Sequence, residues 1–426
     1  LNAAAAVLDR DEDDTEELLE TLVDTSLLES AAPGRYRYHD LLRLFARTCA
    51  EREEPQAGRD AVLSRLLDFY LATAARVYEL CRPGDTLTKH LSPTSHETLT
   101  FSNREAAQDW LFNEAHSLLA TAQQLAHGIA PSAAADLLWV TQDLAESGIY
   151  AQPFALTADR LLDAFQQAGE ARAQARVHDV LAATHIDAGR FDAADLHAQR
   201  AFELAQHDPD PLVLGHAHTN RGIIANLHGR SDDASDYFEA ALCVYRADGN
   251  LIGEASALSN LARMHCRTGQ ISTAVDLAEQ SMMVHRRLGP SFRMANCMYA
   301  LGIVLTASGR HEDALIQHTQ ALSIFRENRM HLWCGMTHFR MAEAALAAER
   351  HTQAATLAEQ ALARLQGIGG DWHRGVVLTL LGRALLAMNQ HGRARVCWTE
   401  ALALLQRSDA TEAAEVSALL ASIARG

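Results

Sequence analysis

The chain of 426 residues has no apolar run of the roughly 18 residues needed to cross a bilayer, which excludes a membrane span by sequence. Aromatic residues make up 6% and prolines number only 9, so a β-rich or turn-dense fold is disfavoured. Seven cysteines (Cys49, Cys81, Cys243, Cys266, Cys297, Cys334, Cys397) are odd in number, widely spaced and never in a CxxC pair, which argues against disulfides or structural zinc. They read as small apolar helix residues of a reducing, cytoplasmic protein. Positive charge is also short: the formal net charge is −17, and so acidic a chain is repelled by phosphate backbones. No direct nucleic-acid contact is expected from it. GxxxxGK[ST], GxSxG, HExxH and paired-carboxylate signatures are missing, so no catalytic constellation is read and the chain is not expected to be an enzyme. Among the 21 histidines, His216 and His218 fall on different helix faces, and His311 and His318 lack a third ligand, so no metal is expected. No signal peptide precedes Leu1, and LNAAAAVLDRDEDD reads as starting in mid-helix, as in a fragment of a longer protein.

What is present is a ladder. Ala194, Ala234, Ala274, Ala314, Ala354 and Ala394 stand 40 residues apart. Five residues before each lies Gly189, Gly229, Gly269, Gly309, Glu349 or Asn389, in an expected turn. Twelve before each is Ala182, Gly222, Ala262, Gly302, Ala342 or Gly382, and seven after each comes Ala201, Ala241, Ser281, Ala321, Ala361 or Ala401. Such a register describes one helix-turn-helix unit stacked repeatedly, with a first helix of roughly 14 residues and a longer second one. Small residues let antiparallel backbones approach, and a turn glycine tolerates a left-handed helix end that glutamate resists. The loops between units hold Pro209, Gly249, Gly289, Arg329 and Gly369 in one register.

Four regions are expected: 1–54, a helix-and-wing unit; 55–132, a helical linker; 133–174, a degenerate first repeat; and 175–426, six repeats with a closing helix. In the first, Thr15 is placed as a helix cap, Pro33-Gly34 as the turn of a short wing, and Asp40 as the cap of a helix ending near Glu53. In the second, a long helix is read from Ser102 through NREAAQDWLFNEAHSLLATAQQLA, broken by Gly128 and Pro131.

The register resembles the tetratricopeptide repeat family, with small residues and a turn glycine at its motif positions and an aromatic on the second helix in Phe238 and Trp398. The units are longer than the usual length of about 34 residues. The expected fold is therefore all-α, a right-handed α-α superhelix of such repeats preceded by a small winged-helix domain with a short β-wing. The resemblance implies a concave face lined by first helices. Asn220, Asn260 and Arg340 share one position on that face; Arg263, Glu343 and Arg383 share another; His216, Asn226, Asn296, Tyr299 and Phe339 fall on the same side. Amides there can bond the main chain of an extended peptide, or tie neighbouring helices together. Arg263 and Arg383 read as solvated charges before ligand contacts.

The stretch GRYRYHDLLRLFAR, with Tyr38-His39-Asp40, resembles the end of the winged-helix domain in the STAND class of signal-transducing NTPases. That family carries Met-His-Asp here, and the resemblance implies that His39 senses the diphosphate of ADP held by a neighbouring ATPase. Residues 100–120, TFSNREAAQDWLFNEAHSLLA, resemble the segment before the repeats in the large Streptomyces antibiotic regulatory proteins. The resemblance implies a sensor and autoinhibitory module with a peptide, protein or small-molecule effector, acting on NTPase and DNA-binding domains of the same parent. No cofactor is expected in this chain, and ATP or ADP in the full-length parent. The rival expectation is a peptide- or protein-binding scaffold or pheromone receptor without a nucleotide switch.

Overall fold

The computed structural model describes residues 1–125, 130–288, 292–408 and 410–423, so Gly128 and Gly289 lie outside the described residues. The first unit comprises α1 (Asn2–Leu8), α2 (Glu12–Asp24), the strands β1 (Glu29–Ala32) and β2 (Arg35–Arg37), and α3 (Asp40–Glu53). β1 and β2 form an antiparallel hairpin with Glu29 opposite Arg37 and Ser30 opposite Tyr36, turning at Gly34 with φ of 68°. Thr15 does not cap α2. Asp11 does, its carboxylate accepting from the Asp14 N–H at 2.7 Å, while Thr15 is buried and its hydroxyl donates back to the Asp11 carbonyl. An acidic first turn favours the earlier start, because its charges oppose the helix dipole. Likewise His39, not Asp40, takes the cap position of α3, and Asp40 is the first helical residue.

Next come α4 (Gln56–Cys81), α5 (Arg104–Asn113), α6 (Ala115–Leu125), α7 (Pro131–Val140), α8 (Asp143–Glu146) and α9 (Ala151–Ala168). The long helix expected from Ser102 is two. Asn103 caps α5 by accepting from the Ala106 N–H at 2.8 Å, and the chain breaks at Glu114. Glu114 there pairs with Arg35 at 2.7 Å and accepts from the Tyr70 hydroxyl at 3.2 Å.

The repeats are α10 (Ala171–Asp187) with α11 (Phe191–His207), α12 (Pro211–Leu227) with α13 (Ser231–Asp248), and α14 (Leu251–Arg267) with α15 (Ile271–Leu288). Then follow α16 (Phe292–Ala307) with α17 (His311–Glu327), α18 (His331–Ala347) with α19 (His351–Arg364), and α20 (Asp371–Ala387) with α21 (His391–Arg407). α22 (Glu412–Ile423) closes the array. First helices run 16 or 17 residues, longer than expected, because the helix continues to within two residues of the turn. Each turn residue is left-handed, from Gly189 at φ 71° to Glu349 and Asn389 at 59°. Glu349 accepts this strain because the residue after it, Arg350, donates to the Ala345 carbonyl at 2.9 Å, closing the same 6→1 bond that Arg190 makes to His185.

A second period of two units overlies the ladder. Where the second helix carries a ring at its contact point (Phe238, His318, Trp398), the first helix opposite carries glycine (Gly222, Gly302, Gly382). Where it carries Ala198, Ala278 or Ala358, the first helix carries Ala182, Ala262 or Ala342. The pairing is steric: a methyl group at Gly222 falls 2.6 Å from the Phe238 ring. Gly222→Ala is expected to cost about 1–3 kcal/mol. In thermal denaturation, Gly222→Ala with Phe238→Ala should lose less than the sum of the singles; strict additivity would refute the size pairing.

One buried apolar core runs from Ala6 through α4–α9 into the repeats as far as Met264. The helices before the repeats also meet repeats distant in sequence. Gln108 donates to Asn328 at 2.8 Å, Asn250 to Asp85 at 3.0 Å, and the His331 N–H to the Ser147 carbonyl at 3.2 Å. Further along, Phe191 and Trp372 meet edge to face at 5.5 Å. The superhelix thus curls back on itself, and its bore is walled on one side by residues that precede the repeats.

Candidate functional site

Within that bore is a cavity of about 200 Å³, lined by α10, α12, α14, α16 and the segment from Arg82 to Glu146. Its floor is a polar cluster around Asp179. One carboxylate oxygen accepts from His216 Nδ1 at 2.8 Å and from Trp139 Nε1 at 3.1 Å; the other accepts from Asn220 Nδ2 at 3.2 Å. Burial disfavours the charged form of His216, but the Asp179 carboxylate outweighs it and raises the pKa. Asn260 accepts from an Arg263 guanidinium N–H. At the opposite wall Glu146 pairs with Arg293 at 2.8 Å and Arg82 at 3.1 Å, and Arg82 also holds Asp143.

The structure divides the sequence-nominated residues into groups. His216, Asn220, Asn260, Arg263, Asn296 and Tyr299 line the bore cavity. Phe339, Arg340, Glu343 and Arg383 line a separate cavity of about 200 Å³ toward the last repeat. There Arg340 pairs with Glu343 at 2.6 Å, stacks over Phe339 at 5.0 Å, and donates to the Tyr299 hydroxyl at 2.9 Å. Arg383 is half-exposed and paired with Glu415. Asn226 lines neither cavity; its carbonyl accepts from Arg267 at 2.6 Å, tying α12 to α14. Arg263 is partly buried: it faces the cavity, bonds Asn260, and burial holds its pKa below the usual value. His39 is exposed on the winged unit, with Nε2 2.7 Å from Glu29. Nearby Leu41, Leu44 and Phe45 are exposed on α3.

Sequence reasoning missed Arg82, Asp85, Glu146, Asp187, His285 and Arg293, all in the cavity wall. For Asp179 a signal existed. It lies three residues before the small residue of its first helix, where the other units carry Thr219, Ser259, Tyr299, Phe339 and Thr379, so one acid interrupts an uncharged row. Among the described residues no cluster of histidine, cysteine and carboxylate groups is placed to hold a metal, and the cysteines are free thiols. No described helix is long and apolar enough to cross a membrane.

The tetratricopeptide repeat family matches residues 253–327, which span α14 to α17. The regulatory protein AfsR of Streptomyces griseus is 50% identical over 421 residues, 99% of this chain. This chain is related to the AfsR regulatory proteins along its whole length. AfsR of Streptomyces coelicolor is also 50% identical, over 430 residues. The chain spans about two fifths of these AfsR relatives, 42% and 43% of their lengths. Among solved structures, a Rap protein complexed with Competence and Sporulation Factor is similar in fold, with a TM-score of 0.53 and 12% identity. That likeness covers 84% of the AfsR-like chain and 98% of the Rap chain.

Proposed function

We propose that this chain is the sensor and autoinhibitory module of a STAND-type transcriptional regulator acting in the cytoplasm, with antibiotic or other secondary-metabolite genes as its output. An effector bound in the bore shifts the repeats relative to the helices before them and releases a nucleotide-bound core elsewhere in the parent. His39 reads the diphosphate of that core's ADP. The supporting observation is the make-up of the bore cavity: Arg82, Asp85 and Glu146 come from before the six regular repeats, and Asp179, Asn220, Asn260 and Arg263 from within them. A ligand touching both sets has a different affinity for each relative position, which is what coupling requires.

The test is a triple variant of the parent regulator, Asn220→Ala with Asn260→Ala and Arg263→Ala, assayed with a target-promoter reporter. Expected is a folded protein whose output no longer responds to effector. An unchanged response in a folded variant would remove the bore from the mechanism. Native mass spectrometry of the purified chain, reading any co-purifying mass, identifies the effector directly.

A further inference from the structure

The bore cavity leaves polar demands of both signs unmet by its own walls. On one side stands Arg263. Its guanidinium bonds Asn260, and among the described residues no carboxylate lies within ion-pairing distance of it. Arg267 and Arg340 add like charge, and Arg340 is already committed to Glu343 and Tyr299. A partly buried cation with like charges beside it and no carboxylate in reach makes this end of the cavity attractive to a negative group.

The other side has the opposite demand. One oxygen of Glu146 accepts from both Arg82 and Arg293, while Oε2 is buried without a partner. Asp187 makes no hydrogen bond or ion pair among the described residues; burial and then the charge of Glu146, against the pull of Arg293, push its carboxyl up to about 8, so it is mostly protonated at neutral pH and gives up that proton when a cation settles beside it. A further acceptor, Asn296 Oδ1, is unsatisfied, and the Nδ1 of His285, a residue 1% exposed, is buried without a partner. An ammonium carries three N–H donors and a positive charge, which answers this side. The enclosed part of the cavity, about 200 Å³, matches a small molecule better than the roughly 300–1,000 Å³ pockets of drug-sized ligands.

We propose that this cavity binds a small zwitterion, a free amino acid or a molecule of that size, with its carboxylate on Arg263 and its ammonium on Glu146 and Asp187. The inference rests on the sensor reading above and names the class of effector. Tyr299 and Trp333, edge to face at 5.6 Å, supply an apolar wall for the side chain.

The test is calorimetric titration of the purified chain with each common free amino acid in turn. Any binder is then compared with its decarboxylated amine and its deaminated acid. The expected result is binding by at least one amino acid, with both truncated analogues about tenfold weaker or worse. In Arg263→Met the amine should bind as well as the amino acid; in Asp187→Asn the deaminated acid should gain on it. The wild-type analogue series decides the matter even where a variant fails to fold. If no amino acid binds, or if either truncated analogue binds wild type as well as the intact molecule, the zwitterion is refuted. Should a different co-purified mass occupy the chain in that case, the sensor reading survives and only the ligand class fails. Conversely, an amino acid that binds the chain yet leaves the parent's reporter unchanged upholds the site and overturns the sensor reading.

Discussion

Replacing Arg176 by leucine is expected to remove about 3–5 kcal/mol of folding stability, measured by urea denaturation, because it strands two buried carboxylates. Arg176 is 2% exposed and stacks over Trp139 at 4.7 Å. It holds Asp136 of α7 and Asp210, the cap of α12, the latter at 2.9 Å, and donates to the His90 carbonyl at 2.6 Å. Asp136 also accepts from the Ser92 N–H at 2.6 Å, so one guanidinium fastens a loop before the repeats to three helices. Lysine should not rescue it, since a single ammonium cannot reproduce the planar fork that serves several acceptors. The control is Arg172→Leu. Arg172 approaches Asp210 at 3.6 Å but is 45% exposed, and its loss should cost under about 1 kcal/mol. If the Arg176 and Arg172 variants lose comparable stability, the buried triad is not a main support of the junction.

The second large expectation is acid lability beginning well above the carboxylate range. Burial pushes His178, His285 and His373 down to about 4 and His318 to about 3, each being almost fully buried. Above the unfolded value of about 6.5 these rings are neutral in both states, and their titration contributes nothing. As pH falls below that value the unfolded chain takes up protons that the folded chain refuses. Stability is then lost by up to about 1.4 kcal/mol per pH unit for each ring, until the folded values near 4 are reached. Asp187 and His216, whose folded pKa values are raised, work the other way but are fewer. Melting temperature should therefore fall steeply between about pH 6.5 and pH 4. His318 offers the clearest check. Both its ring nitrogens are buried without partners, in the register where Phe238 and Trp398 lie against glycine. His318→Phe should raise the melting temperature at neutral pH and flatten the acid slope. An unchanged slope would show that the lability arises elsewhere.

Much of the fold was legible because its determinants are local and repeated. The turn at Gly189 and its counterparts needs a left-handed residue, and the close approach of the paired helices needs small residues such as Ala182 and Ala194. Both requirements act within one unit and recur at each. Helix starts were less legible, as at Thr15 and Asp40, because several capping residues compete within one acidic or polar stretch. The break at Glu114 was invisible: the partners of that side chain are Arg35 and Tyr70, far away in sequence.

For the site, the sequence by itself determined which faces of the first helices turn inward, and so nominated His216, Asn220, Asn260, Arg263, Asn296 and Tyr299. Only the tertiary structure decided that these share a cavity while Phe339, Arg340, Glu343 and Arg383 line another. It alone brought Arg82, Asp85 and Glu146 to the opposite wall. The physical reason is range. Contacts between neighbouring units of the ladder join residues about one unit apart or nearer, and periodicity reports them; the meeting of Phe191 with Trp372 does not follow it. The closing contacts join residues 147, 165 and 220 positions apart, through side chains that follow no period. Their meeting depends on the summed curvature of the stacked units. A small error per unit would part them, and no local pattern records that sum.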